Sequence, residues 1–134
     1  MSRRLVIEIP SVPPNWSNMR VHPIELYRQK KAWFETAYML SHKARVEAGW
    51  PMAAPTDGVR EISFTIYKTW PAFDADGAWA AIKPLLDGLK KTLIWDDGGK
   101  FIRIPAVDQV RVKSQKDRRV VITVTQEEGV TADG

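Results

Sequence analysis

Asp74 and Asp76, Lys83, Asp87, and the pair Asp96-Asp97 are the residues whose types and spacing point to chemistry. They hold five of the 16 acidic residues of a 134-residue chain whose formal net charge is +4 and whose pI is near 9.5. A basic protein that gathers carboxylates in one stretch has the composition of a cation site set in a surface that attracts polyanions. On an extended segment Asp74 and Asp76 point to the same side, because side chains alternate along a strand. Asp97 follows the next predicted helix, and a strand-helix-turn path brings it back toward the pair. Three carboxylates that converge without a cation raise one another's pKa values, and a divalent ion offsets that repulsion. With no cysteine and only His22 and His42, the ligands of such an ion are oxygens, which favours magnesium, manganese or calcium. A bound divalent ion lowers the pKa of a water, aligns it and neutralises charge on a phosphate, as phosphodiester hydrolysis requires. Lys83 adds a cation that either stabilises charge developing on the phosphate or positions or activates the attacking water. Its position alone does not choose between these roles. Each piece has a plainer reading: Asp-x-Asp and Asp96-Asp97-Gly98-Gly99 are ordinary turn sequences, and Asp87 suits an exposed helix face. The arrangement as a whole carries the chemical expectation.

The elements that must position these residues follow from periodicity. Residues 4–9 read as a strand ended by Pro10, and 10–22 as a Pro- and Asn-containing loop. Pro23 suits the first turn of a helix that runs from Glu25 to about Glu47 with Leu26, Trp33, Phe34, Ala37, Leu40 and Ala44 on one face. Gly49 and Pro51 close it. Residues 59–69 alternate, with Ile62, Phe64 and Ile66 on one side, and form the clearest strand. A loop over 70–76 leads to a second helix between Ala78 and Leu93. Pro84 implies that this helix starts near Lys83 or is kinked. A turn over 94–100 precedes strands at 101–113 and 118–125, expected to form an antiparallel hairpin around Lys116-Asp117-Arg118. The order β-α-β-α-β-β predicts a single α+β domain over residues 1–126, a small mixed four-stranded sheet with two packed helices, followed by a polar tail at 127–134. No apolar run is long enough for a membrane span and the N-terminus lacks a signal-peptide core, so the expected location is cytoplasmic, with no membrane partner.

Basic residues flank the acidic stretch (Arg20, Lys68, Lys100, Arg103) and continue through Arg111, Lys113, Lys116, Arg118 and Arg119. Contacts of this kind bind phosphates with little regard to sequence. Asn15 and Trp16 lie in the Pro-rich loop. Trp16 has the ring to stack on unpaired bases, although a tryptophan is more often core or interface, and the same holds for Trp70 and Trp79.

Taken together, Asp74-Ala75-Asp76-Gly77, Lys83, Asp87-Gly88-Leu89 and Leu93-Ile94-Trp95-Asp96-Asp97 resemble the motif of the RusA family of Holliday-junction resolvases, small endonucleases common in bacteriophages and prophages. Ile9-Pro10-Ser11-Val12-Pro13-Pro14-Asn15 is similar to that family's opening strand and loop, and the likeness spans about residues 5–125. Gly77 stands where the family usually has asparagine, and Lys83 lies farther from the Asp-x-Asp pair than in the best-known members. The resemblance implies a magnesium-dependent endodeoxyribonuclease, with manganese as a possible substitute, that acts as a homodimer on four-way junctions in a bacterial or phage-infected cell. It implies Asp74, Asp76 and Asp97 as metal ligands, Lys83 as the catalytic cation and Asp87 as a supporting residue that orients the helix or holds Lys83, with Asp96 a bystander. Asn15, Arg20, Lys68, Lys100 and Arg103 are the expected DNA contacts. The competing readings are a metal-dependent nuclease of other branched or flap DNA and a catalytically silent DNA-binding dimer.

Overall fold

The computed structural model describes residues 2–127 and the side chains of 3–126. In chain order its elements are β1 (Ser2–Ile9), α1 (Pro23–Ala48), β2 (Arg60–Lys68), α2 (Ala75–Gly88), β3 (Ile102–Arg103), β4 (Val107–Arg111) and β5 (Arg119–Glu127), with short 3-10 turns at Trp16–Asn18 and Gln115–Asp117. The architecture is α+β: two helices against one mixed sheet.

The sheet is organised by three apolar rows. Leu5, Val124 and Ile62 lie side by side, as do Ile7, Ile122 and Phe64, and Ile9, Val120 and Ile66. All nine are buried. The rows require β5 to run antiparallel between β1 and β2, and this overturns the predicted hairpin. β4 and β5 are consecutive but do not pair, because β2 lies between them; β4 and β3 pair in parallel with the far edge of β2. Apolarity decides the order: β5 contributes three fully buried residues and takes an inner position, whereas β4 exposes Asp108 and Arg111 and takes an edge. The strand expected over 101–113 is also divided. Ile104-Pro105-Ala106 lies outside the ladder, and Pro105 has no N–H to offer it. Five strands therefore fill four positions across the sheet. β5 continues to Glu127, the first residue of the expected tail, and Met1 and 128–134, where the rest of that tail falls, lie outside the described residues.

The helices cover the face that carries the apolar rows, in one core with Ala37, Ala78, Ile82, Leu85, Leu86 and Leu89. α1 starts where His22 Nδ1 accepts the Ile24 N–H at 3.1 Å with Pro23 at its first turn, and it stops at Gly49, whose φ is 74°. The helices cross at Gly88. A Cβ there would sit 2.6 Å from the Phe34 carbonyl oxygen and 2.8 Å from Ala37 Cβ, so only glycine permits the approach. Next to the crossing, the buried Ser41 and Thr92 hydroxyls pair at 3.0 Å. Among the described residues no helix is long and apolar enough to cross a membrane.

Candidate functional site along helix α2

α2 begins at Ala75, ahead of the Ala78 boundary expected for it, and contains Pro84, so of the two alternatives the start near Lys83 is set aside. The cause is Asp74. It caps the helix, its Oδ1 accepting the Gly77 N–H at 2.6 Å, and satisfies one of the backbone donors a helix start leaves open. Asp74 and Asp76 are therefore not neighbours on one side of an extended strand. Asp74 is the cap, and Asp76 is on the exposed first turn of the helix. Both carboxylates sit at the positive end of the helix dipole, where negative charge is favoured.

Two contacts hold this helix start in place. The Gln109 side chain on β4 accepts the Phe73 N–H at 2.8 Å and donates to the Phe73 carbonyl at 2.8 Å, fixing the residue before the cap. On the other side, Asn15 Nδ2 lies 2.5 Å from where a Cβ of Gly77 would be, and Asp74 Oδ1 lies 2.7 Å from the same point. Any side chain at position 77 would displace one of them. Asn15 is itself fixed, its Oδ1 accepting the Ser17 hydroxyl at 2.6 Å and the Ser17 N–H at 3.2 Å.

Farther along, helical spacing puts Asp76, Lys83 and Asp87 on one side of α2, with Lys90 just beyond its end. Lys83 Nζ donates to Asp87 Oδ1 at 2.9 Å and to Asp97 Oδ2 at 2.7 Å. Lys90 Nζ lies 3.2 Å from each of the same two oxygens. Two ammonium groups and two carboxylates thus alternate around a ring. Lys90 is the member that motif reading missed. Its signal was present, since Lys83, Asp87 and Lys90 are spaced four and then three residues apart.

Asp97 reaches the ring on a loop anchored from below. Leu93 and Ile94 are buried. The Arg60 guanidinium donates to the Leu93 carbonyl and, at 3.0 Å, to Gln126 Oε1, and it lies 5.1 Å from the Trp50 ring centroid. The Asp97 N–H donates to Asp96 Oδ1 at 2.9 Å, so Asp96 shapes the turn.

The ring sets its own protonation. The hydrogen bond from Lys83 holds the Asp97 carboxyl well below the usual carboxylate range; partial burial opposes this, and Lys90 reinforces it. Partial burial works against the charge on Lys83, but its hydrogen bonds to Asp97 and Asp87 and the charges of both outweigh that and raise its pKa. Lys90 is raised by the same balance. An ammonium so held keeps its proton at neutral pH. A lysine base needs a lowered pKa, so of the roles open to Lys83 the ring favours charge stabilisation and positioning over proton abstraction.

The expected DNA contacts are dispersed. Arg20 is exposed; Lys100 is exposed with its ammonium 5.5 Å from the Phe101 ring centroid; Arg103 is exposed and 3.3 Å from Glu61. Lys68 is only 8% exposed: its ammonium donates to the Pro71 carbonyl at 2.5 Å and lies 4.0 Å from the Phe73 ring centroid. Its ammonium is thus engaged within the chain. Trp16 is only 5% exposed, which fits the core or interface reading of this residue better than the stacking one; Trp79 is 43% exposed.

The donor chemistry of Asp74, Asp76 and Asp97 suits a hard divalent ion, but the three do not converge. Among the described residues no three Asp, Glu, His or Cys side chains are grouped to hold a metal, and Asp97 Oδ2 is shared by two lysines. Asp74 and Asp76 fit better. Asp74 has an oxygen free of the cap, and the Asp76 carboxylate has no partner among the described residues. Magnesium is commonly held by one or two carboxylates and completed by water and substrate phosphate. No protein-family model matches the chain, and no curated protein or solved structure matches it.

Proposed function

We propose that this chain is a metal-dependent endodeoxyribonuclease that hydrolyses phosphodiesters at branched DNA, four-way junctions first among them, and acts as a homodimer. One observation carries the reading: a constrained ammonium, Lys83, shares a side of α2 with the open carboxylate of Asp76 in its first turn. Magnesium, or manganese in its place, would be held by Asp74 and Asp76 and would supply charge for the phosphate and an ordered, acidified water. The remaining roles belong to the chain itself. Lys83 presents positive charge where the transferring phosphate gains negative charge. Asp87 and Asp97 hold the ammonium in place and keep it protonated. Gln109 and Asn15 fix the helix start. A two-fold dimer matches a two-fold junction, because the same surface is presented twice.

The second reading is a DNA-binding dimer that does not cut, and it is favoured by the engagement of Asp97 with two lysines. The test is cleavage of a synthetic four-way junction and of a flap substrate, with magnesium, manganese and neither ion. Paired symmetric cuts in the junction support resolution, and cuts confined to flaps support a different branched substrate. Binding without cleavage in either ion leaves the silent reading in place of the enzyme.

A further inference from the structure

A groove of about 550 Å³ opens between α1 and α2, within the roughly 300–1,000 Å³ usual for small-ligand sites. We propose that it binds an unpaired nucleotide, with the base stacked on its aromatic wall and the phosphate on its lysines. This deepens the branched-DNA reading, on which its biological meaning rests.

Tyr27 and Phe34 of α1 and Trp79 of α2 line the groove. They are 66%, 37% and 43% exposed, a large amount of aromatic surface to leave in water around one opening. The indole N–H of Trp16, which also lines the groove, is buried and has no hydrogen-bond partner. A buried donor without a partner carries a cost that a ligand acceptor would relieve. Lys30, Lys31 and Lys83 line the same opening, against a single carboxylate, Asp87, already neutralised by Lys83 and Lys90. Lys31 has only an exposed Glu35 at 4.0 Å.

A purely apolar occupant would leave these cations without a partner. A second copy of the chain would bring its own Lys30 and Lys31 to the contact and set like charges together. A nucleotide satisfies both parts, with a π-face for the rings and an anion for the ammonium groups. A paired base in a duplex has its faces covered by its neighbours, so the ligand is an unpaired nucleotide of the kind a branch point exposes. Lys83 and Asp87 belong to both the groove and the charged ring, so a nucleotide held here lies beside the bond to be cut.

The test uses the full chain and a short oligothymidylate, with binding followed by tryptophan fluorescence and by anisotropy of a labelled oligonucleotide. Binding is expected to weaken about 10-fold or more in Trp79→Ala and Tyr27→Ala, from the 1–3 kcal/mol a stacked base contributes, and to weaken in Lys31→Glu. Unchanged affinity in both aromatic variants, or no binding by the wild type, overturns the proposal. Sedimentation on the same samples identifies the competing occupant: a dimer that dissociates on Trp79→Ala makes the groove a subunit interface and also overturns it. Junction cleavage in magnesium keeps the two readings apart. Oligonucleotide binding that depends on Trp79 without cleavage leaves the groove and removes the nuclease; cleavage without such binding does the reverse.

Discussion

At the N-terminal end of α2, Asp74 gives one oxygen to the Gly77 N–H and Asp76 faces solvent, and neither has an ion-pair partner among the described residues. At the C-terminal end, Asp87 is bound by Lys83 and Lys90, and both lysines reach on to Asp97. The same residue type is left open at one end and neutralised at the other. The helix field accounts for the difference. Its N-terminus favours anions, so Asp74 and Asp76 need no cation of their own, while its C-terminus disfavours Asp87 and favours the two lysines that offset it. Of Asp74, Asp76, Asp87 and Asp97, only the two at the helix start carry negative charge without an ammonium partner among the described residues. The far end supplies an ammonium of settled charge and position.

The sharpest way to break this comparison is Asp76→Asn. It is expected to reduce magnesium-dependent junction cleavage about 1,000-fold, from the several kcal/mol a metal contributes to the transition state, while changing stability by only about 0.5 kcal/mol. Full activity of the variant in magnesium sinks the assignment of the open end. Lys83→Met attacks the other end, with an expected loss of about 100-fold in cleavage and junction binding retained in a gel-shift assay. A loss of binding equal to the loss of cleavage means that Lys83 only anchors DNA.

Asp74 separates scaffold from chemistry. Asp74→Ala removes the cap and is expected to cost about 1 kcal/mol in denaturant unfolding, whereas Asp74→Asn keeps an accepting oxygen and most of that stability. Both lose cleavage if the charge matters, and an active Asn variant reduces Asp74 to a cap.

The closed end predicts a pH dependence. Asp97 has a folded pKa below its unfolded value, so its stabilisation is complete above the unfolded carboxylate pKa of about 3.9. It is lost as pH falls through the lower folded value. The melting-temperature gap between wild type and Asp97→Asn is therefore expected to be steady from about pH 5 to 8 and to close in acid. For Lys83 and Lys90 the folded pKa is raised, so their contribution is complete below the unfolded lysine value of about 10.4 and is lost as pH rises through the folded one. A gap that widens in acid contradicts the pairing. Lys90→Gln should have the smallest effect, about 0.5 kcal/mol or less, since Lys83 retains both aspartates.

The alternation of 59–69, the two helices and the carriers of charge were legible in the sequence because each is a local pattern. The place of β5 was not, because which apolar strand takes an inner position is decided by the whole sheet rather than by its neighbours in the chain. Lys68 was legible and passed over. Strand parity puts Arg60 and Lys68 on the same side as Ile62, Phe64 and Ile66, and the structure buries both basic residues there. The start of α2 was left open between Ala78 and Lys83 for a different reason: Pro84 also reads locally as a helix start, and the cap at Asp74 sets the start at Ala75. The motif grouped Asp97 with Asp74 and Asp76, and the structure sets it against Lys83 and Lys90 instead. Sequence spacing says how far a loop can reach, and the buried Arg60 beneath the loop decides where it stops.

The inner position of β5 also orders events in time. β1 and β2 do not pair with each other; β5, which follows both in the chain, is the strand that joins β1 to β2 and its edge partners β3 and β4. Until β5 has left the ribosome, the apolar rows of β1 and β2 lack their shared neighbour, and Arg60 lacks Gln126. The hydrophobic edges of the partly made chain stay open to other molecules until residues 119–127 emerge. The loop that carries Asp97 therefore gains its full anchorage only after β5 has joined the sheet.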